Sequence, residues 1–507
     1  MEMKKDLDKS APVSWEAEAD VVVVGYGAAG AAAAIAAHDS GARVLMLEKA
    51  PERFRGGNSR VSGNGVFFPT DVEKAILYFN AMAGPYRDNI SDEMVRTWAE
   101  EMYNNRAWLE SFGGDFHMNH TAEFPDLPGA DCAGMYMHRE RTPGMARLWD
   151  EVVEPAVTKR NIKVVYETAG KRLIRDQKGQ IIGITAIQGE KEISVKAKRA
   201  VILTCGGFEN NPALVRNYLH DLPCCNTMGT PYNTGDGILM GLEVGADLWH
   251  MNNISGPYFY FKASDQEVSS RLRMPADNYI YVARDATRFI AEAPTLIVDS
   301  GIYIYPEKHG KVHLHGRYVQ NLTPVPVYLI FDETVRRAGP ICGKAAGWKW
   351  SWDVIHGDIY HWSDDNSEEI KKGWIRQAPT IRELAQEVGL DPDSLEKTVA
   401  HYNELCQNGK DEDFNRGADS LKPLKTPSFY IMELSPTFIN TQGGPRRNEK
   451  AQIVNPWSEP IPRLYSAGEL GSIYSYLYQG GGNLGECFAF GRIAGNNAAA
   501  EIPWEKA

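Results

Sequence analysis

The sequence predicts an α/β fold that opens on a nucleotide-binding strand, turn, helix and strand. Three observations carry that prediction. Residues 21–24 are an uninterrupted valine run, as a parallel strand buried on both faces requires. Gly25, Gly27 and Gly30 follow at G-x-G-x-x-G spacing. A second strand over 43–47 ends at Glu48, where an adenosine ribose needs a hydrogen-bond acceptor. Together they describe a Rossmann-like, dinucleotide-binding unit.

Each part has its own reason. Gly25 permits the tight turn, Gly27 lets a pyrophosphate approach the backbone, and Gly30 lets the helix pack close to the strand. Ala29 lies in the same turn, and the alanine-rich stretch 31–37 has strong helix propensity. The helix N-terminus offers free N–H groups and partial positive charge to a diphosphate. Lys49 follows the acid directly. Residues 51–65 then choose between NAD and FAD. They are rich in glycine and small polar residues (Gly57, Asn58, Ser59, Ser62, Gly63, Gly65), which suits a loop running along a flavin. An NAD enzyme would usually proceed into another helix here.

Composition narrows the function classes. A chain of 507 residues predicts two domains. At 43% hydrophobic and 24% charged residues it reads as an ordinary globular protein. The net charge of −12 argues against a nucleic-acid-binding role. Seven cysteines without a C-x-x-C pair argue against a disulfide framework, a zinc ribbon and a c-type haem, and all seven read as free thiols, the adjacent Cys224 and Cys225 included. The first eighteen residues hold no apolar export signal. The uncharged stretch 21–37 reads as strand, turn and helix, not as a membrane span. A cytoplasmic protein without a transmembrane segment is expected.

Further along, 151–165 reads as helix then strand, and 171–187 as a hairpin turning at 176–179. Asp391 and Pro392 open a helix as N-cap and first residue, with Leu395, Val399 and Tyr402 on one face. Trp348, Trp350, Trp352, Trp362 and Trp374 form an aromatic cluster that reads as core, or as a substrate or partner wall. His313 and His315 lack a third ligand, so no metal is predicted.

The motifs, in order, resemble those of the fumarate reductase/succinate dehydrogenase flavoprotein superfamily. Gly57-Asn58-Ser59 with Ser62-Gly63 resembles its GGNS…SGG loop. TCGGFENNP (from Thr204, with Cys205, Gly206, Gly207 and Asn210) resembles its ATGGF strand end. NTGDG (with Thr234 and Asp236), ARDATRFIAEA, TQGGP and LYSAGELGS (with Gly468 and Glu469) resemble further family motifs. YQGGGNLGECFAFGRIAG, from Tyr478, resembles its C-terminal flavin-binding helix. The resemblance implies a split architecture: an FAD domain from 1–275 and 438–507, with an α+β cap over 276–437. It implies Ala169, Gly482, Asn483 and Leu484 as further cofactor contacts. Asn58 stands where covalent members carry histidine, which implies non-covalent FAD. Only one dinucleotide fingerprint is visible, so a separate electron carrier or acceptor is expected.

Three positions bear on the chemistry the resemblance implies. Fumarate reductases carry arginine where this chain has Gln479, and histidine where it has Asn440. Their acid-donating arginine closely follows a motif matching the one here that ends at Glu292, yet no arginine follows Glu292 before Arg317. Holding two carboxylates needs cationic clamps, so a fumarate-type substrate is disfavoured. Tyr478 with Gly482 instead resembles the Y-x-x-G-x-x-(L/I)-G pattern of 3-ketosteroid dehydrogenases. In that group the phenol and the glycine amide grip a ketone oxygen as an oxyanion hole. The expected reaction removes an α-proton and transfers the β-hydride to flavin N5, on a hydrophobic ketone or enone. Tyr318 or His315 could be the base, with Arg317 lowering a tyrosine pKa; Tyr136, Tyr258 and Tyr260 are further candidates. The alternatives are an ene-reductase of an unsaturated acid, and a flavin-binding partner without turnover.

Overall fold

The computed structural model describes residues 14–139, 147–220, 222, 226–264, 269–292, 295–297, 302–304, 307–314, 317–320, 324–342 and 360–506. Strand β1 (Ala17–Val24) is followed by helix α1 (Ala28–Asp39) and strand β2 (Val44–Leu47). Strand β3 (Lys191–Leu203) lies beside β1 in parallel, with Val24 opposite Leu203, while β2 flanks it on the other side. The 171–187 hairpin forms as Thr168–Arg175 and Ile181–Gln188, closed by the Asp176 carboxylate, which accepts from the amides of Lys178 and Gln180.

Strand β4 (Phe429–Phe438) centres a second sheet. It pairs antiparallel with Val327–Asp332, which in turn pairs with Tyr279–Val282. Tyr258–Tyr260 and Asn226–Thr227 join the same sheet. Strand β5 (Pro460–Ser466) then returns to the first sheet beside β3, and helix α2 (Gly482–Ala500) packs on α1. Both ends of the chain therefore build one FAD-type domain, and the segment between them supplies most of the second sheet.

The packing explains the alanine-rich sequence. Ten of the twelve residues of α1 are buried, so the helix has no polar face and needs a partner as slim as itself. Helix α2 supplies one. A Cβ at Gly491 would come within 2.7 Å of the Ala29 carbonyl oxygen, and one at Gly495 would overlap that of Ala33. The Asp391–Pro392 helix start is found over Pro392–Asn408, with the Asp391 side chain accepting from the Ser394 amide and Leu395, Val399 and Tyr402 buried.

Two residues of the ARDATRFIAEA motif belong to the second sheet's core. Arg288 Nε donates to Glu292 (2.8 Å) and its Nη2 to Asp411 (2.9 Å), while Arg416 Nη1 donates to Glu292 (3.2 Å). All four side chains are buried. Removing Arg288 would leave Asp411 buried without a cationic partner and Glu292 with Arg416 alone. Arg288→Met is expected to cost about 3–5 kcal/mol in denaturant unfolding.

Trp362 and Trp374 pack with Phe261 and Tyr360 in this core. Trp348, Trp350 and Trp352 lie outside the described residues, as do Cys224, Cys225, His315 and the side chain of His313. The five described cysteines are free. Among the described residues no group of three or more potential ligands could hold a metal, and no helix is long and apolar enough to cross a membrane.

Candidate active site

A cleft of about 770 Å³, open to solvent, runs along the carboxyl ends of β1 and β3. Gly25, Gly27, Ala29, Glu48, Lys49, Gly57, Asn58 and Ser59 line one side. Cys205, Gly206, Asp236, Gly468 and Glu469 line the other. Gly25 has φ +104°, and a Cβ there would overlap the Thr204 carbonyl. Gly27 caps α1 without a side chain, and the Ser59 hydroxyl accepts from the Ala28 amide at 3.0 Å. Gly30 faces away from the cleft, against the Gly25 carbonyl.

The Glu48 carboxylate accepts from the amides of Tyr26 and Ala50, both at 2.7 Å, and burial raises its pKa. Each oxygen keeps a second lone pair, so the group pins the glycine turn and can still accept from a ribose hydroxyl. Lys49 Nζ donates to Thr234 and Asp236, both at 2.6 Å. Burial pushes the Cys205 thiol up to about 12, so it stays protonated.

Other expected contacts brace the cleft from behind. Thr168 and Gly170 line it, leaving Ala169 between them to face the other side of its strand. A Cβ on Gly207 would overlap the Thr441 hydroxyl, and Asn210 donates to the Thr230 carbonyl at 2.9 Å. The expected loop over 51–65 contains a short helix, Gly57–Val61. Ser62 ties its end by donating to the Ser59 carbonyl, Gly63 continues the turn, and Gly65 starts a strand against Met135. Leu484 packs in the core beneath α2. Asn483 accepts from Gln442 through Oδ1 (3.5 Å), while its buried Nδ2 has no partner among the described residues. An unpaired amide donor at the N-terminus of a long helix, beside a glycine cradle, fits the electron-rich pyrimidine edge of a flavin.

Glu469, expected at the cofactor, faces through Asn58 a second carboxylate, Glu209, that the sequence analysis missed. Asn58 Nδ2 donates to Glu209 (2.8 Å) and to Glu469 (3.4 Å), and its Oδ1 accepts from the Thr230 amide. Asn233 and Thr441 also donate to Glu209, and Asn440 donates to Glu469 at 2.6 Å. Burial, then the charge of Glu209, pushes Glu469 up to about 8. A carboxyl raised in the fold is ionised first in the unfolded chain, so stability falls as pH rises from about 5 to 8. Glu469→Gln is expected to flatten that fall in thermal unfolding of the FAD-free protein. The signal in the sequence was Glu209 itself, an acid directly after the GGF strand end.

A second cluster of polar side chains is built where the two sheets meet. Ile254–Ser255 pairs antiparallel with Asn440–Thr441, which sets Ser255 opposite Asn440. Tyr478, buried, donates its hydroxyl to Ser255 Oγ at 2.9 Å. Ser255 Oγ and the Tyr258 hydroxyl each lie 3.1 Å from His309 Nδ1, and His309 Nε2 lies 2.9 Å from Glu123. The imidazole packs on the Tyr478 ring, centroids 4.1 Å apart. The Gly480 amide donates to the same Glu123 oxygen at 2.7 Å. Burial holds the Tyr478 phenol far above its ordinary pKa, so it is a neutral donor.

This differs from the expected catalytic set. The Gly482 amide donates to the Gln479 carbonyl at 2.8 Å, because Gly481 closes a turn there with φ +83°. It thus donates within its own turn, while the expectation has it donate with the phenol to a ketone oxygen. Tyr318 donates to Asp126 at 3.3 Å and packs on Phe124, and Arg317 is exposed. Neither is among the residues bonded around Tyr478. Of the further tyrosine candidates, Tyr258 is in the cluster and Tyr260 stacks on it. Tyr136 packs on Phe68 in the first domain's core. Gln479 does not act as a clamp: its Oε1 accepts from the Tyr78 hydroxyl and the Glu123 amide, both at 2.9 Å. Glu123, Ser255 and His309 carry no local motif, and only the fold brings them together.

A family model described as "FAD binding domain" matches residues 20–484. The chain belongs to that family. It is an FAD-dependent oxidoreductase. The flavoprotein is 28% identical to a cytochrome-type fumarate reductase of Shewanella frigidimarina, over 95% of this chain and 77% of that protein. It is 27% identical to a urocanate reductase of Eggerthella lenta, over 97% of this chain and 76% of that protein. Its fold is similar to that of 3-ketosteroid Δ1-dehydrogenase from Sterolibacterium denitrificans, with a TM-score of 0.74 and 21% identity, covering 95% of this chain and 99% of that one.

Proposed function

We propose that this flavoprotein reduces a carbon–carbon double bond conjugated to a single carboxyl or carbonyl group. Bound FAD supplies the hydride, and a separate carrier supplies the electrons. The observation that carries the reading is the buried Tyr478 hydroxyl, a neutral donor, with Gln479 and Asn440, at the fumarate-type clamp positions, both held in internal bonds. One donor suits one carbonyl-type oxygen. Two carboxylates would need two cationic clamps, and the fumarate-type positions are occupied by neutral amides. The relatives named as reductases favour the reducing direction. Within this site Tyr478 would bind and polarise the oxygen, the ring of Tyr258 would wall the substrate, and Asn58 with Glu469 would fix the opposite side of the cleft.

The second reading is dehydrogenation of a cyclic ketone, favoured by the placement of Tyr478 four residues before Gly482. An anaerobic panel separates the two. Enzyme reduced with dithionite is mixed with cinnamate, urocanate, acrylate, fumarate and an enone, and oxidised enzyme with a saturated 3-ketosteroid. Reoxidation by a monocarboxylate or enone at least ten times faster than by fumarate supports the first reading. Equal or faster reoxidation by fumarate overturns it, as does bleaching by the ketosteroid alone.

A further inference from the structure

We propose that Glu123, His309 and Ser255 form a proton supply line to Tyr478, and that His309 is the group that recharges the phenol in each turnover. The proposal rests on the reductive reading above and adds the source of the proton. Reduction places a hydride on one carbon of the double bond and a proton on the other. The electron pair arrives with the hydride from the reduced cofactor. For the proton, the Tyr478 O–H bond breaks as an O–H bond forms on the carbonyl-type oxygen it holds, and the resulting enol tautomerises to the saturated product. The phenolate then takes the Ser255 hydroxyl proton, Ser255 takes the proton from His309 Nδ1, and the imidazole regains one from solvent. Charge balances at each transfer, and no further oxidant or reductant is needed.

Four observations support this order. The contacts are continuous: 2.9 Å from Tyr478 to Ser255, 3.1 Å from Ser255 to His309, and 2.9 Å from His309 to Glu123. Each is within proton-transfer reach. Glu123 is fixed independently, since its Oε2 also accepts from the Gly480 amide. A carboxylate held against Nε2 orients the ring so that Nδ1 faces Ser255. Tyr478 and Ser255 are buried, whereas the His309 and Glu123 side chains keep 15% and 8% exposure, so the line runs from solvent inward. The Tyr258 hydroxyl, also 3.1 Å from Nδ1, gives the imidazole a second partner while Ser255 turns. The relay connects the buried Tyr478 hydroxyl to the more exposed His309 imidazole.

The test uses the full-length, FAD-loaded protein. In the first arm, histidine-¹⁵N-labelled oxidised enzyme is examined by NMR, with the His309 signals assigned from their loss in His309→Gln. The Nε2 signal is expected to move in Glu123→Gln and the Nδ1 signal in Ser255→Ala. Signals that ignore both substitutions overturn the relay, whatever the substrate is. In the second arm, the fastest oxidant of the panel reoxidises the reduced enzyme in a single turnover. His309→Ala is expected to slow that step about 100-fold or more while FAD absorbance and substrate Kd are retained. Added imidazole should restore at least tenfold. An unchanged rate, or a slow rate that imidazole does not lift in either His309→Ala or His309→Gly, overturns the proposal. If no panel compound oxidises the enzyme, the reductive reading fails, and the first arm still decides whether the line exists.

Discussion

Gly25→Val is expected to give a folded but colourless protein. Gly25 adopts φ +104°, a conformation that side chains with a Cβ rarely tolerate. A Cβ there would also overlap the Thr204 carbonyl, which is backbone and cannot swing aside. Thr204 is itself fixed, with its amide and hydroxyl both donating to the Val24 carbonyl at 2.8 and 2.9 Å. The turn must therefore open, and with it the N-terminus of α1 and the amides that face the diphosphate. The ratio of absorbance at 450 nm to that at 280 nm should fall to near zero, and added FAD should not restore it. Gly41→Ala is the control. Gly41 has φ +84° but open space around it, so the same strain without the overlap should leave FAD bound. Loss of FAD in both variants would assign the effect to strain and not to the cradle.

Tyr478→Phe is expected to retain FAD and lose turnover by about 100-fold or more, the usual scale for a preorganised donor. The ring should remain in place, because it packs on His309 and lies 5.6 Å from the Tyr474 ring. Only the hydroxyl is removed, and Ser255 keeps its contact with His309. The loss should therefore appear in kcat with little change in KM, as for an interaction made mainly in the transition state. Stopped-flow reoxidation of the reduced enzyme measures it directly. A rate within a factor of about three of the parent would remove the phenol from the chemistry, and the proton line with it.

The buried charges outside the site set its mechanical frame. The Arg288–Glu292–Asp411–Arg416 network holds the second sheet's core, and Arg447 pairs with Glu486 beneath α2. Residues of a family motif thus serve stability here and not chemistry. That separation explains why the RF…E motif was legible in sequence while its role was not: the identities are local, but what they pair with, Asp411 and Arg416, lies more than a hundred residues on.

The sequence by itself determined the FAD half of this protein. Valines at 21–24, glycines at 25, 27 and 30, and Glu48 act through backbone geometry and short-range spacing, and a chain needs no distant partner to express either. The split architecture followed from motifs at both ends, since each end carries its own packing code: alanines in α1 and glycines in α2 that fit them. Tertiary structure alone decided the cluster around Tyr478. Ser255 meets Asn440 only because two strands pair across the boundary between the sheets, and His309 reaches Tyr478 only because a distant hairpin folds onto it. Hydrogen bonds between side chains 51 to 223 residues apart leave no periodicity to read. The spacing of Tyr478 and Gly482 likewise did not reveal their present partners, the Ser255 hydroxyl for the phenol and the Gln479 carbonyl for the amide.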